Sequence, residues 1–337
     1  MADQTERRTG TANGRVLVAD IGGTNTRVAL AEGGRLVPGS VRRYRNAQFG
    51  GLEAVLGRFL EETGAGRPAA ACLAMAGPVH EGRGRLTNLA WTLDTEVLTA
   101  ATGAETVDLL NDLQAQGHAI GHLSQEAMQV ILPGPPPRLD APQLVVGIGT
   151  GFNAAPVYNT PRGRLVPASE AGHATLPVRT EQDLELARWI TARHGFCSIE
   201  DTLSGRGLPW IHDFLCERDG APGGTDSAGV LKRAAEGEGC EAARARAAVA
   251  TFVRLAGGVC GDLALTLLPF GGVFLVGGMA RAMAPHMGLG FAQAFGDKGR
   301  FGPFMERFAV TLVRDDDAAL IGSAVHLEAL LAARARG

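Results

Sequence analysis

The first residues with the chemistry to bind a ligand lie between Asp20 and Arg27, where the chain reads Asp-Ile-Gly-Gly-Thr-Asn-Thr-Arg. Apolar runs on both sides predict two strands joined by a tight turn. Gly22 and Gly23 lack a Cβ, so their amides can point together at an anion. Arg27 adds a permanent positive charge, and Asp20 is placed to hold a hydrated Mg²⁺. The pattern predicts a phosphate cradle, and a glycine hairpin without a ligand is the alternative.

A second glycine turn follows about 130 residues later. Residues 144–148 are apolar, Gly149-Thr150-Gly151 is a turn, and residues 152–158 read as another strand. A further glycine pair, Gly277-Gly278, ends a third apolar strand. Two hairpins of the same kind suggest an internally duplicated fold.

Polar side chains follow several of the predicted strands. Asn111 and Asp112 come directly after a short apolar strand, so they either project from its end or cap the next helix. Glu200 lies within a helix-start pattern that needs no functional explanation. Taken singly, His173 is more typical of a structural histidine, and Asn88 of a turn residue. The acidic run 315–317 is interpreted as an exposed helix start rather than a metal cluster.

Composition excludes several classes of protein. A net charge of −3 provides no basic field for nucleic acid, and no apolar run is expected to reach a membrane span. The five cysteines show neither zinc-ligand spacing nor a disulfide framework, which fits a reducing cytoplasm. The lysines, Lys232 and Lys298, lie outside any Walker or protein-kinase motif, which excludes both classes. A nucleotide would have to be held by backbone amides, hydroxyls and arginine.

At 337 residues the chain is long enough for two domains. We expect a disordered leader over 1–14, a small α/β domain over 15–123 and a large one over 124–317. A closing helix over 318–335 is expected to pack back on the small domain. A long apolar helix over 241–268 is predicted to be interrupted at Gly257, Gly258 and Gly261.

Several motifs in a fixed order then resemble a known family. Residues 20–27, 147–151 and 276–278 resemble the phosphate-1, phosphate-2 and adenosine motifs of the actin-like ATPase superfamily. Within its sugar kinases, Leu86-Thr-Asn88, Leu110-Asn-Asp112, Ser169-Glu-Ala-Gly-His173 and residues 198–205 resemble the bacterial glucokinases that lack a zinc motif. The resemblance implies two ribonuclease H-like α/β domains around a central cleft. It also implies ATP-dependent phosphorylation of D-glucose at the 6-hydroxyl.

The resemblance assigns roles to individual residues. Asp112 would be the general base, and Asp20 would hold Mg²⁺ through water. The residues expected to bind the sugar are Asn88, Asn111, Asp112, Glu170, His173 and Glu200. The residues expected to bind ATP are Asp20, Gly22, Gly23, Thr24, Asn25, Arg27, Gly149, Thr150, Gly151, Gly277 and Gly278. A cytoplasmic homodimer with no nucleic-acid or membrane partner is expected.

Three positions depart from the glycine that the resemblance predicts: Asn153, Ser169 and Ala171. Because Asn tolerates a positive φ, Asn153 is expected to preserve the second turn. The departures affect the expected affinity and sugar preference more than the reaction. Alternatives are a kinase for mannose, fructose or an amino sugar, a non-catalytic sugar sensor on the same fold and, more distantly, a chaperone-like ATPase.

Overall fold

The computed structural model describes residues 14–335 except Thr87, Asn88, Ala90, Leu139 and Arg162. The predicted leader therefore lies, apart from Gly14, outside the described residues. The chain divides into two compact units. Unit 1 contains the described parts of Met1–His122 and Asp316–Gly337, and unit 2 is Leu123–Asp315.

The strands alternate with helices along much of the chain, as expected for an α/β protein. The strands are β1 (Val16–Ile21), β2 (Asn25–Glu32), β3 (Arg35–Leu36), β4 (Arg42–Arg45), β5 (Ala70–Met75), β6 (Val79–His80), β7 (Arg83–Arg85), β8 (Thr92–Asp94), β9 (Thr106–Asn111), β10 (Met128–Leu132), β11 (Gln143–Ile148), β12 (Phe152–Thr160), β13 (Gly163–Leu165), β14 (Val273–Val276) and β15 (Val310–Val313). The helices are α1 (Leu52–Thr63), α2 (Thr95–Thr102), α3 (Asp112–Ala119), α4 (Glu181–His194), α5 (Ile199–Thr202), α6 (Gly207–Arg218), α7 (Ser227–Glu236), α8 (Gly239–Leu267), α9 (Gly278–Met283), α10 (Phe291–Gly296), α11 (Gly302–Met305) and α12 (Ala318–Arg334).

The main sheet of unit 1 has the order β3-β2-β1-β5-β9, with β4 paired to the outer side of β2. β1 and β2 form the antiparallel hairpin predicted around Gly22, and β1, β5 and β9 run parallel. Every residue of β5 is buried, as expected for a parallel strand covered on both faces. Helices α1 and α2 cover one face of the sheet, and α3 and α12 cover the other.

The main sheet of unit 2 repeats this arrangement. Its order is β13-β12-β11-β14-β15, and β10 is added antiparallel beside β15. β11 and β12 form the second predicted hairpin, and β14 and β15 run parallel to β11. The same order of a hairpin followed by two parallel strands in both units confirms the predicted pair of ribonuclease H-like α/β domains.

Helix α8 is continuous over 29 residues, so the predicted interruption by glycine is wrong. Gly257 and Gly261 instead leave space for α10, because a Cβ at either position would overlap the carbonyl oxygen of Phe291 or Phe295. Among the described residues α8 is also the one helix long and apolar enough to cross a membrane, whereas none was expected. Because 67% of its most apolar window is buried, α8 is the core helix of unit 2.

A buried ion pair ties α4 to α8. Asp183 is fully buried, and both of its carboxylate oxygens accept from the guanidinium of Arg254. The same carboxylate accepts from the amides of Arg179 and Thr180 at 3.1 and 3.0 Å. Burial alone would raise the pKa of Asp183, but these donors outweigh it and hold the pKa below its ordinary value.

We expect Asp183→Asn to lower the free energy of unfolding by about 2–4 kcal/mol, because it leaves the Arg254 charge without its carboxylate. The depressed pKa adds stability above the unfolded pKa, and that stability is lost as the pH falls through the folded pKa. Urea unfolding at pH 7 and at about pH 2.5, which is below the ordinary Asp pKa of about 3.9, measures both effects, and the variant should lose part of the pH dependence. Asp297→Asn is the control, since its carboxylate pairs with Arg179 at 3.0 Å where both side chains are more than half exposed, and this pair should add little. Equal stability of the two variants would contradict the prediction.

Candidate active site

The buried residue Asn46 stabilises the first glycine turn through hydrogen bonds. Its Nδ2 donates to the carbonyl of Gly22 at 2.7 Å, and its backbone amide donates to the carbonyl of Thr24 at 2.9 Å. The hydroxyl of Thr26 donates to its Oδ1 at 2.8 Å. Among the described residues the amides of Gly23 and Thr24 have no backbone acceptor, whereas the amide of Gly22 donates to Asn25 within the turn. The turn therefore presents two ordered donors.

Arg27 is engaged by acidic groups. Its Nη2 lies 2.5 Å from Oδ2 of Asp20, and its Nη1 lies 3.4 Å from Oδ1 of Asp317. The same nitrogen donates to the carbonyl of Asp316. The acidic run does lie at the start of α12, where Asp317 is the N-cap residue, and the structure also connects it to the first hairpin. Arg27 thus neutralises and orients Asp20, and Oδ1 of Asp20 makes no hydrogen bond to any other described residue.

Asp112 lies at the same edge of the unit 1 sheet as the first turn. Ile21, Met75 and Asn111 are aligned across β1, β5 and β9, so Gly22 and Asp112 both follow directly after this row. Two strand spacings amount to about 10 Å. That separation leaves room for a transferred group between the turn and the carboxylate.

Asn111 has a structural role in addition to its predicted one. Its Oδ1 accepts from the amide of Leu113 at 2.9 Å, its Nδ2 donates to the carbonyl of Gly77 at 3.0 Å, and with Gln114 it forms a capping box for α3. Asp112 is half-buried in the first turn of α3, and its Oδ1 also accepts from Leu113. The helix cap therefore fixes the direction of both side chains.

The second glycine turn is closed by its own backbone. The amide of Gly149 donates to the carbonyl of Gly151 at 2.9 Å, and the carbonyl of Gly149 accepts from Gly205 at 2.7 Å. The Gly149 amide, which was expected to bind phosphate, has an internal acceptor here. Thr150 and the amide of Gly151 are the donors that remain at this turn.

The glycine pair after β14 lies against this turn. Gly277 has φ = 101°, and a Cβ there would come within 2.5 Å of the carbonyl oxygen of Ile148. At Gly278, apart from its chain neighbours and its own helix backbone, no atom of the described residues lies within 4 Å of a Cβ. Gly277 is therefore required by the fold, whereas Gly278 leaves open space beside the turn.

Both carboxylate oxygens of Glu200 are bound, and one of them connects Glu200 to the second turn. Oε2 accepts from the amide of Phe152 at 2.9 Å, and Oε1 accepts from the guanidinium of Arg206 at 2.9 Å. The capping box of α5 uses Ser198 and Asp201, so the simple helix-start explanation does not apply to Glu200. A Cβ on Gly151 would overlap Oε2 of Glu200, so the carboxylate would have to move from its present position.

Glu170 and His173 lie together in one loop of unit 2. His173 ends a 3₁₀ turn over Ala171–His173, and its Nε2 lies 3.9 Å from Oε2 of Glu170. Both side chains are more than half exposed. Gly172 packs beneath the carbonyl of Phe152, where a Cβ would overlap that oxygen. The predicted site residue Asn88 lies outside the described residues.

The second turn is preserved as expected, but a positive φ at Asn153 is not the reason. Asn153 belongs to β12 and pairs with Gly147, beyond the turn itself. Apart from glycines, the described residues with positive φ are Glu81 and Leu268. Asn153 is therefore an ordinary strand residue, and its side chain contacts the loop that carries Glu170.

Comparison with known proteins agrees with this fold. A sequence model of the family described as glucokinase matches residues 17–330. The glucokinase of Chromobacterium violaceum is 33% identical over 321 residues, which cover 94% of this chain and 90% of that protein. A glucokinase from an Antarctic psychrotroph has a TM-score of 0.82 at 31% identity, covering 93% of this chain and 98% of that one.

The fold is also shared with a more distant structure. A ROK family glucokinase from Streptomyces griseus, solved in complex with glucose and AMPPNP, has a TM-score of 0.62 at 19% identity. The match covers 92% of this chain and 98% of that chain, and at this identity it concerns the fold alone. The family match over nearly the whole length is decisive: the chain belongs to the glucokinase family and is an enzyme of that family.

Proposed function

We propose that this enzyme transfers the γ-phosphoryl group of ATP to the 6-hydroxyl of D-glucose, with Asp112 as the general base. The assignment of the base rests on the strand register, in which Ile21, Met75 and Asn111 are aligned across β1, β5 and β9. This register supports a phosphate-binding turn and a carboxylate at one sheet edge, about two strand spacings apart. Such a carboxylate orients the acceptor hydroxyl and takes its proton as the phosphoryl group is transferred.

In unit 1, the amides of Gly23 and Thr24 with the side chains of Thr24 and Asn25 are proposed to bind phosphate oxygens. Asp20 would hold Mg²⁺ through water, since its Oδ1 is available and Arg27 fixes its orientation. In the described part of the chain no group of three or more His, Cys, Asp or Glu side chains could hold a metal ion. Mg²⁺ would therefore take most of its ligands from water and phosphate, and it would neutralise the charge of the triphosphate.

In unit 2, Thr150 and the Gly151 amide are proposed to bind the β- and γ-phosphates, and Gly278 leaves space for the nucleotide beside the turn. Glu170, His173 and Glu200, with Asn111 and Asn88 of unit 1, are proposed to bind the sugar hydroxyls. Carboxylates, amides and a histidine suit this task because each buried hydroxyl needs a partner.

An assay that couples ADP release to glucose tests the proposed function. Glucose is expected to be the preferred acceptor over mannose, fructose and glucosamine. Preference for another sugar would reassign the substrate within the same reaction class, and absence of ADP release with every sugar would indicate a sugar sensor. A cytoplasmic homodimer is proposed from the family resemblance, and light scattering measures its mass.

Substitutions at the two glycines after β14 should affect nucleotide binding and folding separately. We expect Gly278→Ala to raise the KM for ATP about tenfold with little loss of thermal stability, because its Cβ would meet the nucleotide and no protein atom. Gly277→Ala is the comparison and should lower the Tm, since its Cβ meets the Ile148 carbonyl at a strained φ. Steady-state kinetics and thermal unfolding measure both. An unchanged KM for ATP in Gly278→Ala would mean that the nucleotide does not bind beside Gly278.

A further inference from the structure

The side chain of Asn153 joins β12 to the loop that carries Glu170 and His173. Its Nδ2 donates to the carbonyl of Ser169 at 2.5 Å, and its Oδ1 accepts from the amide of Ala171 at 3.0 Å. The hydroxyl of Ser169 lies 3.5 Å from the same Oδ1. One side-chain amide therefore binds the backbone immediately before and immediately after Glu170.

Asn153 is itself held in a rigid place. It pairs with Gly147 in the β11–β12 hairpin, and its neighbours Phe152 and Ala154 are buried in the core of unit 2. The amide of Ala154 also donates to Oδ1 of Asn153 at 2.8 Å. The loop is thus fastened to a sheet strand, which holds a site more exactly than a loop can by itself.

The loop needs such fastening because its two side chains are exposed. Glu170 is 55% exposed and His173 is 68% exposed, and their nearest charged atoms are 3.9 Å apart. Asn153, Ser169 and Ala171, which are joined by these hydrogen bonds, are also the three positions at which the sequence departs from the expected glycine. A glycine at 153 has no side chain and could make neither bond.

We propose that Asn153 is a positioning residue for sugar binding. By fixing the backbone on both sides of Glu170, it holds Glu170 and His173 in the arrangement that accepts the sugar hydroxyls. The inference rests on the proposed function, in which these two residues bind the sugar. Because the loop is ordered before the sugar arrives, less conformational freedom is lost on binding. Sugar affinity and discrimination between hydroxyl positions therefore depend on Asn153, whereas ATP binding does not.

The test compares Asn153→Ala with Asn159→Ala in the full-length protein. Asn159 lies on the same strand, where its oxygen accepts from Arg164 at 3.0 Å. We expect Asn153→Ala to raise the KM for glucose about tenfold, with kcat and the KM for ATP within about twofold of wild type. Its preference for glucose over mannose should fall by a similar factor. Asn159→Ala should behave as wild type.

A second variant and a second readout keep the test decisive. Asn153→Asp retains the acceptor for Ala171 but loses the donor to Ser169, so the KM for glucose should rise in it as well. Hydrogen exchange at the Ala171 amide, measured without sugar, should accelerate in Asn153→Ala because that amide loses the nearer of its two acceptors and keeps only the Ser169 hydroxyl at 3.2 Å. Unchanged exchange, or faster exchange with an unchanged KM for glucose, would overturn the role of Asn153 and leave the proposed function intact. A wild-type protein that neither binds nor phosphorylates a sugar would overturn the proposed function.

Discussion

Asp112→Ala is expected to lower kcat by about 10²–10⁴-fold while the affinity for glucose changes little. The carboxylate would act on the acceptor hydroxyl during transfer, so its loss removes an interaction made mainly in the transition state. The fold should survive the change. The amide of Leu113, which donates to Asp112, also donates to Asn111 at 2.9 Å, so α3 keeps its cap. Steady-state kinetics and glucose titration calorimetry measure the two quantities separately.

The control for Asp112 is another aspartate at a helix start. Asp226 caps α7, and its carboxylate accepts from the amide of Gly229 at 2.8 Å. Asp226→Ala should lose about 1 kcal/mol of stability and keep its turnover. A near-wild-type kcat in Asp112→Ala would exclude Asp112 as the base, and an equal loss in both variants would point to a structural effect.

The two hairpins were predictable because their signals are local. An apolar run, a glycine turn and a second apolar run occupy fewer than 20 consecutive residues, and each element has a period that the sequence displays. The carboxylate at the end of β9 was found in the same way. Strand order in unit 1 then follows from the hairpin and the parallel β5 and β9. The reaction class was accessible because these local motifs, in their order along the chain, resemble those of a known family.

The side chains that support the site were not predictable, because their partners are distant in the chain. Asn46 lies 24 residues from Gly22, and its buried amide fixes the first turn without any motif of its own. Glu200 reaches Phe152 across 48 residues, which the helix-start pattern around it concealed. The expectation for Asn153 was correct about the turn and wrong about a positive φ. It considered the backbone preference of Asn, whereas the strand pairing fixes the backbone and leaves the side chain to bind the loop.

The position of Asp317 affects which groups at the first turn are expected to bind phosphate. Arg27 lies between Asp20 and Asp317, which are 297 residues apart in the chain, so the charge that was expected to bind phosphate is shared with two carboxylates. Phosphate binding at this turn would then depend on backbone amides and on a cation brought by Asp20. Asp20 is thereby expected to be more critical than Arg27 for the nucleotide.

Asp20→Asn is accordingly expected to lower kcat/KM for ATP by about 10²–10³-fold and to shift half-maximal activity to a higher Mg²⁺ concentration. The amide keeps the size of the side chain and an oxygen for Arg27, but it lacks the charge that would hold a hydrated cation. Rates at fixed ATP and varied Mg²⁺ measure the shift. Binding of Mn²⁺ in the presence of ADP, followed by electron paramagnetic resonance, reports it without turnover.

Asp317→Asn tests whether the loss of activity comes from cation binding by Asp20 or from the ion pairs of Arg27 with Asp20 and Asp317. It weakens the 3.4 Å contact to Arg27 but leaves the carboxylate of Asp20 intact, so its effect should stay below about tenfold and its Mg²⁺ dependence should remain that of wild type. If both variants shift the Mg²⁺ dependence equally, the orientation of Asp20 by Arg27 matters as much as its charge. If neither does, Asp20 is not the metal-binding residue and its role is confined to the pair with Arg27. The two aspartates thus distinguish a cation site from a structural ion pair at the same turn.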